Sequence, residues 1–177
     1  MNPEKAYTRT AISLHWLVAV LLFAGFALGL FMVPLPFSPS KLKFYAWHKW
    51  LGVTVFGLFW LRLVWRHWHR PPLALGSGWQ RSAARLAHAL LYGLMFATPI
   101  SGWLYSSSAG VQTVYLGILP LPDLIGREAG LKDFMKMVHY ACSMTMAALV
   151  LIHILAAFKH HWVNGDDSLR RLLRWSR

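Results

Sequence analysis

HYACSMTMAALVLIHILAAFKHH, from His139 to His161, decides the reading of this chain. Histidine apart, no basic or acidic residue lies between Met137 and Phe158. A helix needs about 20 apolar residues to cross the hydrocarbon core of a bilayer. The stretch is therefore predicted to be a membrane helix, and an unusual one, because it carries several histidines. His139 and His153 are 14 positions apart. At about 100° and 1.5 Å per residue they fall within about 40° of one face and about 21 Å apart along the axis. His160 lies about 20° off the same stripe and about 10 Å further on, whereas His161 points elsewhere.

The rest of the chain suits the same environment. Hydrophobic residues make up 56% of its 177 residues and charged residues 14%, where a soluble domain has about 25% charged. Ten tryptophans favour a membrane–water boundary, where amphipathic rings collect. The net charge of +12 raises nucleic-acid binding as a reading. Lys and Arg, however, cluster at the ends of apolar runs and form no basic stripe for tracking phosphates. No nucleic-acid partner is expected. The single cysteine, Cys142, excludes an internal disulfide and a C-x-x-C-H haem attachment, and it reads as a small buried residue. No cleavable signal peptide is expected, because the first apolar run is too long and lacks a cleavage site.

Four spans are predicted in one domain covering residues 1–177: an all-α, integral membrane four-helix bundle. Helix 1 runs over about 10–33, with no Lys, Arg, Asp or Glu from Trp16 to Ser40 and an end at Pro34 and Pro36. Helix 2, over about 44–66, is the least hydrophobic; Lys49, Arg62 and Arg66 can snorkel from its ends. Helix 3, over about 82–106, contains Pro99 and is expected to kink there. Helix 4 covers about 133–161. The apolar stretch from Val111 to Ile125, interrupted by Pro120 and Pro122, is too short and broken to span. It reads as a lid or re-entrant segment on one membrane face.

Loop charges orient the bundle. Lys5 and Arg9 precede helix 1. Arg62, Arg66, Arg70, Arg81 and Arg85 flank the middle loop, which has no acid. Lys159, Arg170, Arg171, Arg174 and Arg177 outweigh Asp166 and Asp167 after helix 4. The other two loops carry Lys41, Lys43 and Lys49, or Arg127, Lys132 and Lys136 balanced by Asp123, Glu128 and Asp133. Both termini and the middle loop are thus expected to be cytoplasmic.

Nine histidines in such a chain mark function, since ionisable groups inside a bilayer are costly. His48 and His139 fall at periplasmic depth, on helices 2 and 4. His15, His88 and His153 fall at cytoplasmic depth, on helices 1, 3 and 4. His67 and His69 sit among arginines in the cytoplasmic loop. A haem iron with two histidine ligands takes one imidazole from each of two facing helices at matched depth. At periplasmic depth His48 and His139 are the only pair; at cytoplasmic depth His153 has His15 or His88. A proton relay would be expected to include a buried acid, and the spans have none. Zinc calls for three or four ligands at one point, not two plus two. Gly52, one turn after His48 on the same face, leaves room for a flat macrocycle.

The segment Ile12-Ser-Leu-His15-Trp16-Leu17, the segment Leu86-Ala-His88-Ala-Leu-Leu-Tyr92, and His139 and His153 followed by Lys159-His160-His161-Trp162 resemble the bacterial cytochrome b561 family over nearly the whole chain. Its best-understood members are di-haem superoxide:ubiquinone oxidoreductases of the inner membrane. The same arrangement occurs in cytochrome b subunits of membrane hydrogenases and formate dehydrogenases. The resemblance implies two b-type haems, one held by His48 and His139 and the other by His15 and His153, with His88 not a ligand. It also places His160 near a quinone site.

An oxidoreductase passing electrons from periplasmic superoxide to ubiquinone is therefore expected. Lys41, Lys43, Lys132 and Lys136 would steer the superoxide anion. Reduction of the quinone takes up protons, for which His160, with His88 nearby, is a suitable donor because imidazole titrates near neutral pH. Arg81 and Arg85 would pair with haem propionates, or else simply anchor the cytoplasmic side. Two other readings remain: an electron-transfer subunit fed by a redox protein partner, and a non-catalytic haem-binding membrane protein.

Overall fold

In a computed structural model, residues 7–69, 71–72, 78–167 and 169–173 are described. Lys5, Arg70, Arg174 and Arg177, which contribute to the charge bias, lie outside them. Four long helices dominate: α1 (Arg9–Met32), α2 (Pro39–Trp68), α3 (Gly78–Ser108) and α4 (Ala129–Phe158). A wider, π-type turn (Lys159–Val163) and a short helix α5 (Arg170–Leu173) follow. Neighbouring helices pack as α1 on α2, α2 on α3 and α3 on α4.

The helices begin earlier than their apolar runs. The Ser38 side chain accepts from the Lys41 backbone N–H, and Pro39 takes the first helical position. That position suits proline, whose missing N–H would have had no partner there. α2 thus starts five residues before the expected 44. α1 is capped in the same way by Thr8, which accepts from the Ala11 N–H. α3 continues through Pro99 as one helix.

α1, α3 and α4 with its following turn are long and apolar enough to cross a membrane. α2 does not qualify by composition, because its uncharged run reaches only from Trp50 to Leu61, about 18 Å at 1.5 Å per residue.

The stretch between α3 and α4 departs from an all-helical chain. It forms a two-stranded antiparallel hairpin, β1 (Val114–Tyr115) and β2 (Leu119–Pro120), with Val114 opposite Pro120 and Tyr115 opposite Leu119. Leu116 (φ 52°) and Gly117 (φ 76°) make the turn, the left-handed pair that tight hairpins require. The hairpin is fastened to α2. The Trp50 indole donates to the Val114 carbonyl (2.7 Å), Lys49 Nζ to the Val111 carbonyl (3.1 Å), and Tyr115 Oη meets Thr54 Oγ1 (2.9 Å). These side chains satisfy carbonyls that irregular backbone would otherwise leave open in an apolar setting.

At the middle of the bundle, Val18, Phe59, Met95 and Met146 form one buried layer, with one residue from each long helix. Met146 is 1% exposed. It stands midway between His139 and His153 in α4, so the apolar layer separates the two histidine levels.

Candidate functional site

His48 on α2 and His139 on α4 face each other near the hairpin, with ring centroids 6.1 Å apart and planes at 84°. His48 Nδ1 lies 3.1 Å from the Gly25 carbonyl and His139 Nδ1 lies 3.0 Å from the Thr98 carbonyl. A carbonyl only accepts, so both rings carry their proton on Nδ1 and present the Nε2 lone pair. That is how a metal-binding imidazole is oriented by its surroundings. Ser101 Oγ, 3.2 Å from His139 Nδ1, adds a second contact.

Glycines make the room. A Cβ at Gly102 would stand 2.9 Å from His139 Cε1, and one at Gly29 would stand 3.3 Å from His48 Cε1. Each ring therefore lies against bare backbone of a neighbouring helix. A cavity of about 80 Å³ between the rings is lined by Gly25, Gly52, Pro99 and Met146 among others.

At the other level, on α1 and α4, the centroids of His15 and His153 are 6.4 Å apart with planes at 60°. His88 on α3 is nearer, at 5.4 Å from His153. Distance separates the two candidates. Two metal–imidazole bonds of about 2.0–2.1 Å, plus about 1.1 Å from each nitrogen to its ring centre, would call for centroids about 6.3 Å apart on either side of a shared metal ion. The His48–His139 and His15–His153 pairs meet that spacing; His88–His153 is too close. The spacing of these two imidazole pairs suits a haem iron; the lower cavity, about 770 Å³, is in the range of cofactor pockets, while the upper one is about 80 Å³. Among the described residues no group of three or more His, Cys, Asp or Glu is placed to hold a metal ion, which leaves no zinc-type cluster.

The lower cavity is basic. Arg62, Arg66, Arg81 and Arg85 all line it. Arg81 and Arg85 were expected near propionates. Arg62 and Arg66 read in the sequence as snorkelling ends of α2 and as cytoplasmic loop charge, with no role at a site. Both guanidiniums lie over the Tyr92 ring, 5.4 and 5.6 Å from its centroid. Their spacing of four residues places both on one face of α2, and Tyr92 of α3 is what brings that face to the cavity. Arg62 also approaches His15 Nδ1 at 3.2 Å. A guanidinium only donates, so this contact places the His15 proton on Nε2. Iron binding at Nε2 requires the proton on Nδ1 and Arg62 turned away.

His160 is not among the side chains lining this cavity. The stripe that reaches it by extrapolation at 100° per residue ends at Phe158, where the winding widens. Instead His160 Nδ1 meets Asp166 Oδ2 at 2.7 Å. Asp166 entered the sequence reading only as loop charge. The lysines are partly engaged as well: Lys41 Nζ donates to the Val33 and Leu35 carbonyls at the end of α1, and Lys132 lies 3.8 Å from Asp133. Lys41 therefore acts as a helix cap, which accounts for it without anion steering.

Paired imidazoles facing across a helical bundle, with membrane-capable helices around them, define a membrane haem protein of the electron-transfer kind. The model of the prokaryotic cytochrome b561 family matches residues 6–175, and the chain belongs to that family. It is similar to cytochrome b561 homolog 2 of Escherichia coli (strain K12), 33% identical over 97% of this chain and 93% of that protein. Cytochrome b561 homolog 1 of the same organism is 26% identical over 94% and 96% of the two chains. A probable superoxide oxidase, CybB, of Yersinia pestis is 26% identical over 96% and 97%.

Proposed function

We propose that this protein carries electrons from superoxide at the periplasmic face of the bacterial inner membrane to ubiquinone at the cytoplasmic face, through two b-type haems. In this reading α2 is the fourth span, its short apolar run completed by snorkelling Lys49, Arg62 and Arg66. Both termini are then cytoplasmic and the hairpin periplasmic.

One observation carries the reading: two histidine pairs at two levels, 6.1 and 6.4 Å between centroids. His48 and His139 would hold the periplasmic haem, and His15 and His153 the cytoplasmic one. Bound there, haem iron supplies reversible one-electron transfer. Gly25 and Thr98 fix the ligand tautomers of the upper pair. Arg62, Arg66, Arg81 and Arg85 supply positive charge for propionates at the lower one. The relative described as a probable superoxide oxidase supports superoxide as donor. The engagement of Lys41 and Lys132 favours a second reading, in which a redox protein delivers the electrons.

Purified protein in liposomes containing ubiquinone, supplied with superoxide, should show rapid haem reduction followed by quinol formation. Haem reduction without quinol removes ubiquinone as acceptor. Absence of haem reduction by superoxide transfers the donor role to a protein partner.

A further inference from the structure

We propose that Asp166 is a positioning residue that holds His160 as the proton donor for quinone reduction. This rests on the proposed reduction of ubiquinone at the cytoplasmic face and specifies how that site obtains its protons.

The two side chains are brought together by a built turn. Six residues of α-helix would rotate a side chain by about 240°, so residues 160 and 166 of a continuous helix cannot meet. α4 instead ends at Phe158, and Lys159–Val163 winds more widely, with the Asn164 N–H donating to the Lys159 carbonyl at 3.1 Å. Gly165, at φ 66°, then reverses the chain, a conformation glycine adopts without steric cost. The Asp166 backbone N–H donates to the His160 carbonyl at 3.1 Å, and its carboxylate meets the imidazole at 2.7 Å.

An ordinary surface ion pair has a different appearance. Its neighbour Asp167 supplies the comparison, with a side chain 64% exposed and a loose 3.4 Å contact to Arg170. The His160 and Asp166 side chains are 23% and 19% exposed, and the contact is backed by two backbone bonds. The position also suits the task. The lower cavity is lined by Ala157 and Phe158 just before this turn and by Leu169 and Leu172 just after it. The turn thus lies between two segments that line the cavity, and His160 itself is not part of the lining.

A carboxylate accepting from Nδ1–H fixes the tautomer and the orientation of the ring. Nε2 then holds the transferable proton. Two superoxide ions give up one electron each and leave as O2. Ubiquinone accepts both electrons and two protons to become ubiquinol. His160 Nε2 delivers the two protons one after the other to the quinone oxygens, and each time cytoplasmic water restores the proton on Nε2.

The test is Asp166→Asn in the full chain, in liposomes with ubiquinone and superoxide. We expect kcat for quinol formation to fall about 10- to 100-fold, the usual loss when an orienting partner is removed. KM for ubiquinone, the spectra of both haems and the rate of haem reduction by superoxide should stay at wild-type values. Asp166→Glu, which keeps the carboxylate, should recover part of kcat, and Asp167→Asn should match wild type. A kcat within twofold of wild type in Asp166→Asn overturns the proposal, as does a change confined to KM. Should Asp166→Asn fail to take up haem, Asp166→Ala decides in the same assay, and a kcat there within twofold of wild type overturns it. Wild-type protein that forms no quinol would overturn the underlying function and this role with it. Wild-type turnover with an indifferent Asp166→Asn would overturn this role alone.

Discussion

His139→Ala and His153→Ala should each remove one haem and leave the other in place. Iron held between two imidazoles loses half of its protein ligation when one is cut back to a methyl group, which supplies no replacement ligand. The two sites are insulated from each other by the layer of Val18, Phe59, Met95 and Met146, so loss at one level should not propagate. Haem content should fall from two per chain to one, with complementary absorption spectra in the two variants. His48→Ala should reproduce His139→Ala, and His15→Ala should reproduce His153→Ala. His88→Ala should keep both haems, because 5.4 Å between the His88 and His153 rings leaves too little space for an iron between them. A His88→Ala protein that lacks the same haem as His153→Ala, while His15→Ala retains it, would reverse the lower pairing.

The second large effect is expected from a single methyl group. Gly102→Ala places a Cβ 2.9 Å from His139 Cε1 and 3.1 Å from its Nδ1. Real side chains do not approach so closely, so the ring must move. It has little freedom to do so, because Nδ1 is held by the Thr98 carbonyl and Ser101 of the same helix α3. The periplasmic haem should be lost or its binding weakened at least about tenfold, the scale of an outer-shell disruption, while the cytoplasmic haem stays. Gly29→Ala, at 3.3 Å from His48 Cε1, should weaken the same haem less. Gly57→Ala meets nothing within 4 Å. It should leave both haems and raise thermal stability slightly, since alanine in a helix is better than glycine by up to about 1 kcal/mol. Haem-to-protein ratio and thermal unfolding followed in the haem band read all three.

The helices and the histidines were legible in the sequence because both obey one period. Long uncharged runs announce α1, α3 and α4, and a fixed rotation per residue places His139 and His153 on one face. What was missed lies where that period stops. The start of α2 is set by Ser38 and Pro39, residues that belong to capping and not to the apolar run. The hairpin depends on left-handed backbone at Leu116 and Gly117 and on partners in α2 that are distant in sequence. Arg62 and Arg66 belong to the lower site through Tyr92 on another helix, a contact no spacing within α2 announces. Asp166 reaches His160 only because the winding widens after Phe158, which an extrapolated 3.6-residue period cannot contain.

The central layer has an electrical consequence. Val18, Phe59, Met95 and Met146 offer no group that could pass a hydrated ion from one level to the other, whereas an electron tunnels through side chains of this kind. Under the proposed route, negative charge therefore crosses inward alone, and the matching protons come from the cytoplasm. Every turnover then charges the membrane like a small capacitor, interior negative. Each electron works against the resting voltage by about 2.3 kcal/mol per 100 mV for a full crossing. A protein that clears an oxidant at the outer face would thereby also contribute to the potential across the membrane, and its rate should rise when an ionophore collapses that potential.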